Sequence, residues 1–217
     1  PYFNDKYGNA ASIHHSFGHE AKEAVEKSRK IIAKELNASA REIVFTSGAT
    51  ESINLAIKGV SEKLKAKGRH IITQVTEHNA VLDTCSALEK RGWEITKLPV
   101  QQNGLIDPKM IEGAIRKDTV LVTIMHANNE IGVIQPIRKI GNICKRNGVY
   151  FMVDASQSFA KISIDVQEIN IDLLAFTAHK IYGPKGIGAL FIKKKKPPVE
   201  LELQMDGGGH ERGFRSG

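Results

Sequence analysis

Cysteine is scarce in this sequence: 217 residues carry only Cys85 and Cys144, far apart and in no C-x-x-C pair. That spacing argues against a disulfide framework and against a zinc site, so no metal is expected and a reducing compartment is the simpler expectation. Long apolar runs are also missing. No stretch approaches the length that crosses a bilayer, which predicts a soluble protein with no membrane partner. The chain opens at Pro1 with neither a methionine nor a charged-then-apolar leader. The expectation is therefore no targeting peptide, a missing natural N-terminus, and a cytoplasmic location, or a mitochondrial-type matrix if eukaryotic. Internal repeats and low-complexity linkers are lacking as well.

What is present is ordinary globular composition, 41% hydrophobic, in a length that suits one medium domain with a proper core. Basic side chains number 31 against 24 acidic ones, a formal charge of +7. Such an excess suits an anionic ligand or nucleic acid, but part of it is local, in the KKKK run from Lys193 to Lys196. Read plainly, that run is a solvated strand end that discourages edge pairing. No aromatic residues interleave with it to stack bases, so a non-catalytic anion- or nucleic-acid-binding module is the distant alternative.

Beyond residue 41, strand-like and helix-like segments alternate. Glu42 to Thr46, His70 to Val75, Trp93 to Leu98, Thr119 to Met125, Val149 to Val153, Leu173 to Thr177 and Gly188 to Lys193 read as strands. Ile53, Ile57, Val60 and Leu64 recur at helical spacing, as do Val81, Cys85 and Leu88. Pro108 opens a helix running from Met110 to Ile115, and Pro136 opens one with Ile137, Ile140 and Cys144 that Gly148 stops. Too few residues separate the last two strands for a crossover helix, so the last is expected to be antiparallel. The rhythm predicts an α/β fold, three-layer α/β/α with a mostly parallel central sheet. Residues 1–40 read as an N-terminal helical segment of the same domain, with Phe17, Ala21, Ala24, Ile31 and Ile32 on one side. Both cysteines fall on apolar helical stripes and read as small buried hydrophobes rather than nucleophiles.

In open α/β sheets ligands bind beyond the carboxyl ends of the strands. Those positions hold Ser47-Gly48-Ala49-Thr50-Glu51-Ser52, Glu77-His78-Asn79, His126 to Glu130, Asp154-Ala155-Ser156-Gln157 and His179-Lys180. The first segment runs from strand to helix with glycine at the turn. Its backbone N–H groups at Gly48, Ala49 and Thr50 suit a phosphate, and an ordinary N-cap by Ser47 or Thr50 fits it equally. It has neither the lysine of a P-loop nor the spacing of a dinucleotide fingerprint, so ATP and NAD are poor candidates. Asp154 ends an apolar strand, where a carboxylate is costly unless paired. Its other reading is an N-cap or a salt bridge, and that of Lys180 is the wet end of a strand. A lysine, a buried carboxylate and a phosphate cradle at neighbouring strand ends are the parts that pyridoxal phosphate requires.

The runs FTSGATESINLAIKG, TEHNAVLDTC, MHANNEIGVIQPI, VDASQS, AHKIYGPKGIGALFI and GGGHERGFRSG, in this order, resemble the cysteine desulfurases. These are fold-type-I pyridoxal-phosphate enzymes of the class V aminotransferase group, and the likeness is greatest to the Isc-type enzymes of iron–sulfur cluster assembly. It extends from about Tyr7 to Gly217. It implies that Lys180 carries the cofactor covalently, Asp154 pairs with its ring nitrogen, and Gln157 and Asn129 approach its ring hydroxyl. It also implies that His78 stacks on the ring and serves in proton transfers, and that Ala49, Thr50, Thr177 and His179 hold the phosphate. Position 177 is serine in many relatives, and threonine keeps the hydroxyl.

The same resemblance implies what these residues lack. Family members take sulfur from L-cysteine onto a catalytic cysteine of a smaller C-terminal domain, leaving alanine. They act as homodimers and pass the sulfur to iron–sulfur scaffolds or other acceptors. Neither that cysteine nor the arginine for the substrate carboxylate lies here, so residues 41–217 are expected to be the cofactor-binding large domain, inactive alone. Selenocysteine lyase or another class V aminotransferase is the alternative within the group.

Overall fold

The computed structural model describes every residue except positions 3 and 13. Seven strands form one sheet: β1 (Ile43–Thr46), β2 (His70–Gln74), β3 (Glu94–Leu98), β4 (Thr119–Met125), β5 (Tyr150–Asp154), β6 (Leu173–Thr177) and β7 (Gly188–Ile192). Their order is β1-β7-β6-β5-β4-β2-β3. Strands β2 to β6 pair in parallel, and β7 is antiparallel to both β1 and β6, as the short connection requires. Every position of β4 is buried, which explains its unbroken apolar run: a central parallel strand has no wet face.

Side chains of alternate positions build two cores. On one face, α2 (Ala49–Leu64) and α3 (Asn79–Glu89) bring Ile53, Ile57, Val81 and Cys85 against Leu121, Met152 and Leu190. On the other, α1 (Ser16–Glu35), α4 (Pro108–Ala114), α5 (Ile137–Asn147) and α6 (Val166–Ile169) bring Ala33, Ile111, Ile140 and Val166 against Val122, Phe151 and Phe191. The result is the three-layer α/β/α arrangement. Local chemistry sets the helix ends: Asp107 caps α4 ahead of Pro108, and Gly148 closes α5 at φ 64°, a left-handed conformation that glycine adopts without strain. The short α6, capped by Asp165 and ended by Asn170 at φ 62°, spans too little chain for a periodic signal.

Two expectations change. Helix α1 does not present Phe17 and Ile31 inward; both are exposed, while Gly18, Ala21, Arg29 and Ala33 are buried. The buried Arg29 guanidinium sets that rotation, because it donates to the Ile43 carbonyl at 2.9 Å and grips the Glu211 carboxylate at 2.6 and 2.9 Å. Ile31, two residues further on, then lies about 200° around the helix and faces water. The lysine run does not guard a sheet edge either, because β7 is paired on both sides. Lys193 bonds Asp172 at 2.8 Å and the Lys194 ammonium lies 4.9 Å from the centre of the Phe214 ring.

Register brings the site together. Gly188 opposes Thr46 on one side and Thr177 on the other, so the segments leaving β1 and β6 emerge at the same sheet edge. A Cβ at Gly188 would stand 2.7 Å from both Gly48 Cα and the Phe176 carbonyl oxygen, so only glycine admits this approach. We expect Gly188→Ala to destabilise the fold by about 1–3 kcal/mol through overpacking, measurable as a lower urea midpoint. An unchanged midpoint would contradict the close approach.

Candidate active site

At the carboxyl edge of the parallel strands lies a cavity of about 440 Å³. It is lined by every site residue expected from the sequence: Ala49, Thr50, His78, Asn129, Asp154, Gln157, Thr177, His179 and Lys180. Ser47, Glu51, Met125, Ser156 and Lys185 join them. Lys185, which reads from its turn as plain surface charge, therefore stands at the rim of the same cavity.

One end of the cavity is built from donors. Gly48 stands at the N-cap of α2 and no side chain caps the helix, so neither Ser47 nor Thr50 serves in that way. The first-turn N–H groups are left for a ligand, and the positive end of the helix favours an anion there. Gly48 N–H is the exception, turned back to Thr46 Oγ1 at 3.4 Å. Thr177 Oγ1 lies 3.0 Å from His179 Nδ1 and 3.8 Å from where a Cβ on Gly48 would stand. Hydroxyl, imidazole and helix end thus face the same space.

The cavity also presents a buried carboxyl group, Asp154, and a second, Glu77, lies near it outside the lining. Asp154 is buried at the end of β5, and both bonds from Ser156, N–H at 2.9 Å and Oγ–H at 2.5 Å, fall on Oδ1. Oδ2 has no donor among the described residues. Burial raises this carboxyl above its ordinary range, against the Ser156 bonds and the nearby His78, which lower it. Glu77 is raised well above its ordinary value: burial is the main cause, Asp154 adds like charge, and the Met125 N–H bond at 2.6 Å opposes them. Its Oε2 is buried without a partner among the described residues.

The groups that can transfer protons or take a carbonyl line the same cavity. His78 caps α3, its Nδ1 accepting from Ala80 N–H at 3.1 Å, so in the neutral ring the proton sits on Nε2. Asn128 uses its amide on the backbone, donating to the Thr76 carbonyl at 2.8 Å and accepting from Glu130 and Ile131 N–H, which leaves Asn129 at the cavity. Lys180 ends a 3₁₀ turn, Ala178–Lys180, directly after β6. Bonds from Ile181 and Gly183 N–H to the Ala178 carbonyl, both 2.9 Å, and Gly186 at φ 84° close the turn behind it. Cys85 and Cys144 are buried and unreactive: burial lifts the Cys85 thiol to about 12 and Cys144 higher still.

Such a site can bind an anion at one end, neutralise a cationic N–H at the other, and present a primary amine between them. On a mostly parallel three-layer sheet it defines an α/β protein with a ligand site beyond the strand ends. The chain belongs to the aminotransferase class-V family, whose model matches residues 1–212. It is 59% identical over 217 residues to a protein named cysteine desulfurase IscS from Neisseria meningitidis serogroup A, covering 100% of this chain and 54% of that protein. A protein of the same name from Anaeromyxobacter dehalogenans is 56% identical, with the same coverage. The chain thus spans about half the length of these relatives. Among solved structures, "SspA in complex with cysteine" aligns at TM-score 0.95 and 45% identity, over 100% of this chain and 62% of that one. A "NifS-like protein" aligns at TM-score 0.95 and 41% identity, over 100% and 59%.

The enclosed Glu77 has a consequence for stability. Unfolded, it releases its proton near the ordinary value of 4.5; folded, it holds the proton to higher pH. The native state then binds more protons than the unfolded one, so stability contributed by Glu77 is present below that value and falls as pH rises through the folded one. Glu77→Gln lacks this loss. Relative to wild type, its unfolding free energy should be higher at about pH 8 than at about pH 5, measured by urea titration. A difference independent of pH would show that the two states ionise alike.

Proposed function

We propose that this chain is the cofactor-binding large domain of a pyridoxal-phosphate-dependent cysteine desulfurase. Residues 41–217 form that domain, with 1–40 as its helical N-terminal segment. A further C-terminal domain supplies the sulfur-accepting cysteine. The observation that carries this reading is the meeting of Lys180, Asp154 and the uncapped start of α2 in one cavity. The names of relatives matching the whole chain support the choice of desulfurase within the family.

The residues present fit the cofactor. The Ala49 and Thr50 N–H groups, with Thr177 and His179, suit a phosphate, and the unused Oδ2 of buried Asp154 suits a protonated ring nitrogen. Gln157 and Asn129 are polar groups for a ring hydroxyl, and His78 at the cavity wall suits a ring face. When bound, pyridoxal phosphate supplies an electrophilic carbon for amines and an electron-poor ring that stabilises negative charge on the substrate.

The chain's own residues do the rest. Lys180 would hold the cofactor through its Nζ, a primary amine that can also give or take a proton in this cavity. Asp154, buried and held by Ser156, would pair with the ring nitrogen and favour its protonated form. His78 has its Nδ1 occupied by Ala80 N–H, so Nε2 is the atom left to give or take a proton. The helix start and Thr177 would hold the phosphate.

The substrate in this reading is L-cysteine and the products are alanine and a protein-bound persulfide. That sulfur passes to an iron–sulfur scaffold or another acceptor protein. Large apolar side chains left in water, such as Ile131, Ile134 and Tyr182, support a homodimer. Among the described residues no helix is long and apolar enough to cross a membrane, in keeping with a cytoplasmic or matrix location.

The test uses the full-length protein carrying this chain. With L-cysteine and a thiol reductant we expect sulfide and alanine in equal amounts. Lys180→Ala should lower the rate at least about 10³-fold, the scale at which covalent and acid–base groups contribute. A keto acid in place of alanine would make the protein a transaminase. Turnover of selenocysteine alone would make it a selenocysteine lyase.

A further inference from the structure

The first turn of α2 contains a feature at odds with anion binding: Glu51, a carboxylate beside the donors meant for the ligand. A free carboxylate there interacts favourably with the helix end, competes for its N–H groups, and repels an incoming phosphate. The structure holds Glu51 differently. Arg215 Nε donates to Oε1 at 2.8 Å and Nη2 to Oε2 at 3.3 Å, while Oε2 also accepts from Ser47 N–H at 2.8 Å and Ser47 Oγ at 2.5 Å. The carboxylate is thus neutralised by one partner and turned back on Ser47 by the other. Both side chains of the ion pair are mostly shielded, Arg215 at 22% and Glu51 at 19% exposure, unlike the solvated pairs elsewhere on the surface. Burial alone raises the Glu51 carboxyl, and the Arg215 and Ser47 bonds outweigh it, holding the group below its usual value and ionised.

Arg215 comes from a loop 164 residues further along the chain, and that loop is itself anchored. Glu211 takes two bonds from buried Arg29 and accepts Phe45 N–H at 2.8 Å, two residues before Ser47. The loop therefore bonds both the end of β1 and the start of α2, the two elements flanking the Ser47–Thr50 turn.

We propose that Arg215 is a positioning residue for the anion cradle: through Glu51 it cancels a negative charge in the first turn of α2 and keeps the Ala49 and Thr50 N–H groups open to a phosphate. This rests on the reading of that turn as the phosphate site. Arg215 acts on the cradle through another side chain and needs no contact with the cofactor.

The test is equilibrium binding of pyridoxal phosphate and of pyridoxal, which lacks the phosphate, to the full-length protein. Wild type should prefer pyridoxal phosphate strongly. Arg215→Met should weaken pyridoxal phosphate about tenfold and leave pyridoxal within about twofold, because only the phosphate meets the exposed charge. Adding Glu51→Gln removes that charge and keeps an acceptor for Ser47, so the double variant should return to within about threefold of wild type. Glu51→Gln alone, which does not depend on the folding of the Arg215 variant, should not weaken pyridoxal phosphate. Equal affinity of wild type for the two ligands would remove the phosphate-site reading and this proposal with it. A strong wild-type preference that Arg215→Met leaves unchanged, a double variant no better than the single one, or a tenfold loss in Glu51→Gln would overturn the role of Arg215 alone.

Discussion

The placement of β7 between β1 and β6 determines where every other part of the site stands. As an antiparallel strand it makes β1 run in the same direction as β6, so Thr46 and Thr177 end side by side across Gly188. The start of α2 and the turn bearing His179 and Lys180 must then share one edge. Asp154 joins them because β5 pairs with β6, Asp154 standing opposite Ala175 near the end of the strand that leads to Lys180. The chemistry at this edge depends on a pairing pattern, and the pairing pattern depends on a glycine that lets backbones meet.

The edge is costly to maintain. Asp154 and Glu77 are carboxyls in a region of low polarity, and the side-chain oxygens of Thr73, Thr76 and Thr123 are buried without partners among the described residues. Unpaired buried polar groups each cost about 1–3 kcal/mol. The apolar layers on both sheet faces supply the opposing stability. Arg29 and Glu211 add to that stability, locking a glycine-rich loop against β1.

Much of this was legible in the sequence because it is local. Strands at β4 and β6 are continuous apolar runs, helix ends carry proline and glycine, and polar residues follow the strands where a ligand site belongs. The antiparallel turn of β7 followed from loop length alone. What was not legible depends on contacts between distant residues. The rotation of α1 is set by Arg29 reaching Glu211, 182 residues away, and no periodic pattern contains that pull. Lys185 looks like any turn lysine until the fold brings it to the cavity. Ser47 and Thr50 looked like caps, and the pairing of Ser47 with Glu51 and of Glu51 with Arg215 left the helix uncapped. The lysine run was misread as edge protection because strand order is invisible in sequence.

Lys180 and Lys185 both border the cavity, and only Lys180 is proposed as the covalent anchor of pyridoxal phosphate. Reduction of the cofactor-loaded full-length protein with borohydride, followed by digestion and peptide mass mapping, distinguishes them. A pyridoxyl group is expected on the peptide containing Lys180 and none on Lys185. A label on Lys185, or no stable label at all after reduction, would contradict that assignment.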